Sequence, residues 1–375
     1  MSHADVRDAA NQMLDQMERL IVGKRPVLEL IVTALLADGH VLLEDVPGVA
    51  KTATARSLAE AAGMHFSRVQ FTPDLIPFDI TGASTLGVNN QIEFVPGPIF
   101  ANLVLGDEIN RAPPKTQSAL LEAMEERQVT IDGTTRPLPD PFMVIGTQNP
   151  IESEGTYPLP EAQLDRFLVR TGIGYPTNEA EIDIVLQRAQ RRADRMPLDA
   201  VIDAAGVRRL RQRVEEVHIS EPVARYVVAL VEATRASSRT ETGASPRGSL
   251  ALLKAGRARA AIQGRSLVLP DDIKAMAVAC LAHRLILVPD QWVRGVKPEQ
   301  VVEEILHQVP TPVAVDDVEA VSPQPAAPVA AAPPVHQAPP QQQPMQAAPA
   351  HQPAPPQAPQ PAPPGQPQYP APPGT

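Results

Sequence analysis

The sequence is poor in cysteine and in positive charge, and each shortage excludes a class of protein. A single cysteine, Cys280, among 375 residues rules out an internal disulfide and a zinc site built from several cysteines. Its surroundings, AMAVACLAHRL, have the apolar character of a buried helix face, so we expect a core residue rather than a reactive thiol. The 33 basic residues against 43 acidic ones give a net charge of −10, which disfavours a general nucleic-acid binder.

Long apolar runs are also missing. No stretch reaches the roughly eighteen uninterrupted apolar residues of a membrane span, and the charged start of the chain lacks the apolar segment of a secretory signal. We therefore expect no transmembrane segment and a cytoplasmic location.

The last part of the chain lacks charged residues. From Val321 onward there is no Asp, Glu, Lys or Arg, and residues 311–375 hold 21 of the 43 prolines. Such a composition cannot bury enough apolar surface to offset the loss of chain entropy. The sequence predicts a disordered Pro/Ala/Gln-rich tail over 310–375, either a solvated tether or a Pro-rich ligand motif.

What residues 1–177 do contain is an alternation of short apolar runs with helical patterns, which is typical of a parallel sheet covered by helices. Strands are predicted at 40–45, 66–71, 101–107, 142–149 and 167–173, with helices at Pro26–Asp38, Lys51–Ala62 and Thr116–Arg127. The segments 84–94 and 128–136 are predicted as hairpins with turns at Asn89-Asn90 and Asp132-Gly133.

From 178 to 309 the pattern is helical only, which predicts a smaller all-helical domain. Apolar residues recur there at helical spacing: Val223, Tyr226, Val227, Leu230, Val231 and Thr234. A further helix is predicted from Pro270 to Ala282.

A phosphate-binding loop stands between the first predicted strand and the next helix. In LLEDVPGVAKTATA we expect Lys51 to reach the β and γ phosphates and Thr52 to hold magnesium, with Gly48 in the loop. The motif departs from G-x-x-x-x-G-K-[ST] at Asp45 and Ala50. Ala50 is tolerable if that position keeps a negative φ, and Asp45 needs a turn that accepts a carboxylate near phosphates. Taken alone, a chance match at a helix start is the alternative.

An acidic pair, Asp107-Glu108, ends the strand in LVLGDEINR. Beside a phosphate loop, Asp107 is expected to bind magnesium through water and Glu108 to polarise the attacking water. Gly106 replaces a bulkier residue, and we expect it to loosen the strand end.

Three further polar residues follow along the chain. Asn149 is expected to touch the γ phosphate or orient water, with a simple Asn149-Pro150 turn as the alternative. Arg166 has the position of an arginine finger directed at another subunit, with a surface pair to Asp165 as the alternative. Arg247, at a helix start after Pro246, is expected to reach back to the γ phosphate.

The ordered set of motifs resembles the AAA+ ATPases, and more narrowly the MoxR family. The resemblance covers about residues 5–309. It is carried by IVGKRPV (21–27), LLEDVPGVAKT, FTPDLIPFDITG (71–82), GPIFANLVLGDEINRAPPKTQSALLEAMEERQVTIDG (97–133) and GTQNPIESEGTYPLPEAQLDRF (146–167).

This resemblance implies an α/β P-loop core with a parallel sheet of order 5-1-4-3-2, inserted hairpins and a small all-helical lid. Nucleotide would bind between subunits of a ring, usually a hexamer. The catalytic residues it implies are Glu108 of Walker B, Asn149 as sensor 1, Arg166 as the finger and Arg247 as sensor 2. ATP would contact Val22, Gly23, Pro47, Gly48, Val49, Ala50, Lys51, Thr52 and Ala53, and Mg²⁺ would contact Thr52 and Asp107.

The implied function is a ring-forming ATPase that remodels or matures protein complexes, metal-cofactor insertion included. Its expected partners are a protein client and a protein with a von Willebrand factor A domain. A nucleic-acid motor is an alternative, which the absence of Lys and Arg from the hairpin tips Val88–Gln91 and Ile131–Thr135 disfavours. A second alternative is an ATP-gated scaffold with little turnover, which the departures at Asp45 and Ala50 keep open.

Overall fold

The computed structural model describes residues 3–86, 91–149, 155–191 and 196–312. The chain divides into two units, Met1–Asp317 and Val318–Thr375. The predicted tail lies almost wholly outside the described residues. No helix within the described ranges is long and apolar enough to cross a membrane.

A five-stranded parallel sheet organises the first half of the chain. The elements of this part are α1 (His3–Glu18), α2 (Arg25–Leu36), β1 (Val41–Glu44), α3 (Lys51–Ala61), β2 (Phe66–Gln70), α4 (Pro77–Thr81), β3 (Gly82–Leu86), β4 (Ile92–Pro96), β5 (Leu103–Asp107), α5 (Pro114–Glu126), β6 (Gln128–Ile131), β7 (Thr134–Pro137), β8 (Met143–Gln148), α6 (Glu161–Leu164) and β9 (Val169–Thr171). The order of the strands in the sheet is β2-β5-β8-β1-β9. Numbered along the chain and read from the other edge, these five strands have the order 5-1-4-3-2, so the predicted order is confirmed.

The neighbouring strands β1, β5 and β8 are mostly apolar because both faces of the sheet are covered there, whereas β2 at one edge of the sheet is largely polar. Successive side chains of a strand point to opposite faces. Val41 and Leu43 therefore join one buried cluster with α1, α2 and α3, whereas Leu42 joins a second cluster with α5. The sheet thus holds the ends of its strands in fixed positions.

Two hairpins project from the α/β part. In the second, β6 and β7 meet at Asp132 and Gly133, both with positive φ, as the sequence predicts. In the first, β3 pairs with β4, and the predicted Asn89-Asn90 turn lies outside the described residues. The two hairpins contact each other where the Arg136 guanidinium lies 4.0 Å from the centroid of the Phe94 ring.

The remaining helices are α7 (Asn178–Arg191), α8 (Ala204–Glu215), α9 (Glu221–Ala236), α10 (Pro246–Ile262), α11 (Pro270–Leu281), α12 (Pro289–Val293) and α13 (Pro298–Gln308). The six predicted stripe residues are the buried face of α9, and Cys280 is buried in α11. This part is not helical only, because β10 (Thr240–Thr242) pairs antiparallel with β11 (Ile286–Leu287). Two stretches distant in sequence form that ribbon, and neither has a strand pattern of its own.

One apolar cluster runs from the sheet into the helical part. It includes Val41 of β1, Val6 of α1, and Ala258 of α10. Helix α10 contacts both α1 and α2. The helical part therefore packs on one face of the sheet, and the domain boundary at residue 177 stays a prediction.

Candidate active site

The phosphate loop runs from the end of β1 to the start of α3. Because α3 begins at Lys51, the free N–H groups of its first turn and the positive end of its dipole face this loop. Ala50 caps the helix at φ 60° and ψ 25°, a left-handed conformation. The condition under which an alanine is tolerated without strain, a negative φ, is therefore not met. The usual motif has glycine at this position because a residue with a Cβ is destabilised in the left-handed conformation, by roughly 1–2 kcal/mol for alanine.

Lys51 holds its ammonium group between the ends of two strands. Its Nζ donates to the carbonyl oxygen of Asp45 at 2.7 Å and to that of Gln148 at 3.5 Å. Asp45 follows β1 and Gln148 ends β8, so the cation lies at the carboxyl edge of the sheet. Gly48 has φ 85°, and no described atom beyond its own residue and its two chain neighbours lies within 4 Å of the position that a Cβ there would take. The loop is open on that side.

The Asp45 carboxylate is directed to the exit of β9. Its Oδ2 accepts hydrogen bonds from the backbone N–H groups of Ile173 and Gly174, both at 2.6 Å, and its Oδ1 accepts from Val46 N–H at 2.9 Å. Three donors stabilise the charge, which explains how a carboxylate is tolerated at the start of a phosphate loop. Asp45 also fastens the loop to the segment that leads into α7.

Asp107 is buried at the end of β5, with 8% of its surface exposed. Its Oδ1 accepts from the Thr147 hydroxyl at 2.7 Å, and its Oδ2 lies 2.7 Å from Arg68 Nη2. Carboxylate and hydroxyl oxygens suit Mg²⁺, which keeps several waters. The Asp107 carboxylate fits such an ion, and Arg68 is a competing cation at one of its oxygens. Thr52, the second residue of α3, has the hydroxyl oxygen that such an ion accepts, and its role as a ligand stays a prediction.

Glu108 has a strained backbone, with φ 56° and ψ 51°. Its N–H donates to the Thr147 hydroxyl at 2.8 Å, and its Oε2 accepts from Gln70 Nε2 at 3.0 Å and from Arg111 Nη1 at 2.9 Å. Thr147 thus aligns both acidic residues from the neighbouring strand. Thr147, Gln70 and Arg68 were not predicted as residues of this site. Arg68 and Gln70 lie two residues apart on β2 and therefore on one face, which is the signal that could have indicated them. Thr147 lies in the almost fully buried β8, where no such alternation is present.

Gly106 does not loosen the strand end, so that expectation is wrong. It is paired with Val69 on one side and with Gly146 on the other. A Cβ at this position would lie 2.9 Å from Ile109 Cγ2 and 3.3 Å from Phe71 Cε2. The glycine makes room for two large side chains, which pack tightly against the strand.

Asn149 is buried, with 5% exposure, and follows β8 directly. Strands β1, β5 and β8 are neighbours, and their carboxyl ends lie at one edge of the sheet. Lys51, Asp107, Glu108 and Asn149 are therefore brought together.

Val22 and Gly23, which the resemblance places in contact with ATP, precede α2, and Gly23 has φ 71°. A Cβ on Gly23 would lie 3.1 Å from the Cβ of Ala180 in α7. The next residue, Lys24, donates from Nζ to the Tyr175 carbonyl at 2.7 Å. Val22 and Gly23 thus lie beside the start of α7, on the segment that Asp45 also holds.

Arg166 and Arg247 lie elsewhere, at the amino edge of the sheet. Both line a cleft of about 440 Å³ with Gly39 and His40, which precede β1. Along β1, His40 and Asp45 are about 16 Å apart at the usual rise of a strand. The expectation that Arg247 reaches the γ phosphate at its own chain's Lys51 is therefore wrong, because a whole strand separates the two residues.

The two arginines share one carboxylate. Arg166 Nη2 lies 3.0 Å from Glu125 Oε2, and Arg247 Nη2 lies 2.7 Å from Glu125 Oε1. The alternative of an Asp165–Arg166 pair is wrong, since Asp165 Oδ1 accepts from Arg284 Nε at 2.6 Å.

Asp165 joins the segment around Arg166 to the helical part. Arg284, only 4% exposed at its side chain, also donates to the Phe167 carbonyl at 2.8 Å. The Ser245 hydroxyl donates to Asp165 Oδ2 at 3.3 Å and accepts from Arg247 N–H at 3.1 Å at the start of α10. The arginines are therefore placed by a common set of contacts.

Comparison with known proteins shows the family to which the chain belongs. The sequence model of the ATPase family associated with various cellular activities (AAA) matches residues 40–169, and that of the AAA lid domain matches residues 232–305. The chain is 47% identical to the uncharacterized protein YeaC of Bacillus subtilis, over 82% of this chain and 97% of that protein. It is 42% identical to the chaperone MoxR1 of Mycobacterium tuberculosis, over 79% of this chain and 81% of that protein.

A solved structure agrees as well. The crystal structure of a candidate ATPase from Cytophaga hutchinsonii superposes with a TM-score of 0.78 at 37% identity, covering 83% of this chain and 97% of that chain. With its phosphate loop, acidic strand end and sheet order, the chain belongs to the MoxR family of AAA+ ATPases.

Proposed function

We propose that this chain hydrolyses ATP with Mg²⁺ at interfaces between subunits of a ring, and uses the energy to remodel or mature protein complexes. The observation that carries the proposal is the separation of two half-sites. Lys51, Asp107, Glu108 and Asn149 lie at one edge of the sheet, and Arg166 lies with Arg247 at the other. A site with all these groups needs two chains.

Each residue has a role that fits its position. Lys51 binds the β and γ phosphates, and Thr52 and Asp107 hold Mg²⁺, whose charge stabilises the phosphate oxygens. Glu108 accepts a proton from the attacking water, and Asn149 orients that water. Arg166 and Arg247 stabilise charge on the nucleotide of the neighbouring subunit. Backbone and side chains of Val22, Gly23, Pro47, Gly48, Val49, Ala50 and Ala53 enclose the nucleotide.

The hairpin surface supports a protein client rather than a nucleic acid. Leu86 is 69% exposed, Ile92 78% and Val95 53%, so three apolar side chains of the first hairpin face solvent. The tip of the second hairpin, Ile131–Thr135, has no cation, and the adjacent Arg136 stacks on Phe94. Binding along a phosphate backbone needs exposed cations, whereas apolar patches are typical of protein contacts.

The finer parts of the proposal rest on the family. The relative from Mycobacterium tuberculosis is named a chaperone, which supports a chaperone-like role. A hexameric ring, a partner with a von Willebrand factor A domain, and metal-cofactor insertion as the process served are proposed on the same basis. A scaffold with little turnover is the second candidate, favoured by the left-handed Ala50 and by Arg68 on Asp107.

Subunit mixing tests the proposal. Glu108→Gln is expected to bind ATP and hydrolyse it at least about a hundredfold more slowly. Arg166→Ala keeps its own phosphate loop and loses only the arginine that acts on the neighbouring subunit's ATP. The hydrolysis rate at that neighbouring site should fall by roughly three to five powers of ten. Each ring alone should be nearly inactive, but mixed rings contain interfaces with an intact Glu108 on one side and an intact Arg166 on the other.

The measurement is ATPase rate against mixing ratio after subunit exchange has been verified by fluorescence. A maximum near equal proportions supports interfacial hydrolysis, and full activity of Arg166→Ala as a monomer excludes it. A wild type that binds ATP without turnover supports the scaffold. Glu108→Gln with ATP is then used in a pull-down to capture the protein client. Captured protein and single-stranded DNA are each added to the wild type, and a rise in ATPase rate shows which of the two it acts on.

A further inference from the structure

Glu125 makes an unusual pair of contacts for a carboxylate near a helix end. Its two oxygens bind different arginines, Oε2 with Arg166 at 3.0 Å and Oε1 with Arg247 at 2.7 Å. Arg166 follows α6, whereas Arg247 begins α10 after a long separation in sequence. One carboxylate therefore joins two segments that the chain order keeps apart.

The position of Glu125 is fixed by buried contacts around the end of α5. The carbonyl of Met124 accepts from His40 Nε2 at 3.1 Å, and His40 Nδ1 accepts from Val144 N–H at 2.9 Å. Arg127 closes the helix in a left-handed conformation, with its N–H bonded to the Ala123 carbonyl at 3.0 Å. These bonds tie the last turn of α5 to β1 and β8, so Glu125 stands on a rigid base.

The positive charge of the surrounding cleft favours a carboxylate at position 125. The cleft around it has five basic residues: Arg127, Arg166, Arg247, Lys254 and Arg284. Two further acidic residues of the cleft, Asp38 and Asp165, pair with Arg127 and Arg284, which leaves Glu125 as the partner of Arg166 and Arg247. Two guanidinium groups side by side repel each other, and a long arginine side chain populates many rotamers when nothing holds it. A carboxylate between Arg166 and Arg247 offsets the repulsion and restricts both side chains. The remaining N–H groups of each guanidinium stay available to a further anion.

We propose that Glu125 is a positioning residue, which holds Arg166 and Arg247 together as one two-cation unit for the phosphates of the neighbouring subunit. This inference rests on the proposed function. Through Glu125, the end of α5 affects the rate of hydrolysis, although Glu125 itself does not touch the nucleotide. Because one carboxylate serves both arginines, loss of Glu125 disturbs the finger and the sensor at the same time.

Glu125→Ala is expected to lower kcat about ten- to a hundredfold, because a displacement near 1 Å of a catalytic group has an effect of this size. The KM for ATP should change less than about threefold, since Lys51 of the same chain lies at the other edge of the sheet. Glu125→Gln keeps one acceptor oxygen and should fall between Glu125→Ala and the wild type. Glu122→Ala is the matched control. Glu122 is exposed one turn earlier on α5, and kcat should stay at the wild-type value.

Subunit mixing separates positioning from a general structural defect. If Glu125 acts through the arginines, Glu125→Ala is defective only on the arginine side of each interface. Mixing it with Glu108→Gln should then restore activity, with a maximum near equal proportions. Mixing it with Arg166→Ala should restore nothing, because both variants fail on the same side.

Two outcomes overturn the proposal. The first is an unchanged kcat in Glu125→Ala. The second is a low kcat without recovery on mixing with Glu108→Gln, while Arg166→Ala with Glu108→Gln does recover. A melting temperature of Glu125→Ala within a few degrees of the wild type excludes misfolding as the cause of a low rate. If mixing Arg166→Ala with Glu108→Gln restores no activity either, the proposal that ATP is hydrolysed at subunit interfaces is refuted, and the proposal on Glu125 falls with it.

Discussion

Replacing Asp45 by alanine removes the three hydrogen bonds that its carboxylate accepts at the start of the phosphate loop. The bond from Val46 is local. Those from Ile173 and Gly174, both at 2.6 Å, join the loop to the exit of β9. We expect Asp45→Ala to destabilise the fold and to leave two backbone N–H groups without their charged acceptor.

The size of the effect follows from these contacts. A hydrogen bond to a charged group contributes about 1.5–3 kcal/mol, and the two bonds across the loop share one oxygen, so we take about 3 kcal/mol for the pair. An unfolding entropy of about 2.1 cal/mol/K per residue gives about 0.7 kcal/mol/K for the unit Met1–Asp317. The Tm of Asp45→Ala should therefore fall by about 4 °C. Asp45→Asn keeps one neutral acceptor and should fall by about half as much.

Scanning calorimetry measures the Tm, with Asp183→Ala as the control for loss of an exposed carboxylate. ATP affinity is measured on the same variants. Because backbone N–H groups stabilise the Asp45 charge, Asp45→Asn should not bind ATP more tightly than the wild type. An unchanged Tm together with ATP affinity raised about tenfold or more would show that the carboxylate faces the phosphates, and would refute this reasoning.

Three further outcomes are expected. Burial holds the pKa values of His40 and His283 well below the usual value of a histidine. The unfolded chain therefore takes up protons below about pH 6.5 that the folded state resists, and each of the two groups should lower stability by up to about 1.4 kcal/mol per pH unit as pH decreases. A Tm that is flat from pH 7.5 to 5.5 would contradict this. Gly106→Val should cost about 1–3 kcal/mol in a urea melt, because its side chain meets Ile109 and Phe71, and a neutral result would indicate a loose strand end. Arg284→Ala leaves Asp165 without its buried partner and should cost about 3–5 kcal/mol, measured as a lower Tm; an unchanged Tm would show that the pair does not join the two parts of the chain.

The sheet was predictable because its strands are short apolar runs between helical patterns. Val41–Glu44 and Leu103–Asp107 are buried on both faces, so their composition alone marks them as central strands of a covered parallel sheet. The strand order came from the resemblance of the motifs, since apolar runs do not reveal which strand lies beside which. The same motifs indicated the residues at the carboxyl edge, because parallel strands bring Lys51, Asp107 and Asn149 to one edge.

Only the tertiary structure decided which groups these residues bind. Glu125 joins Arg166 to Arg247, and Asp45 accepts from Ile173 and Gly174 across 128 and 129 residues of chain. No local pattern contains such partners, because they are set by which strand ends and helix ends meet in space. Local composition and period thus determined the elements, whereas the packing of the helical part on the sheet placed the arginines a strand's length from their own phosphate loop.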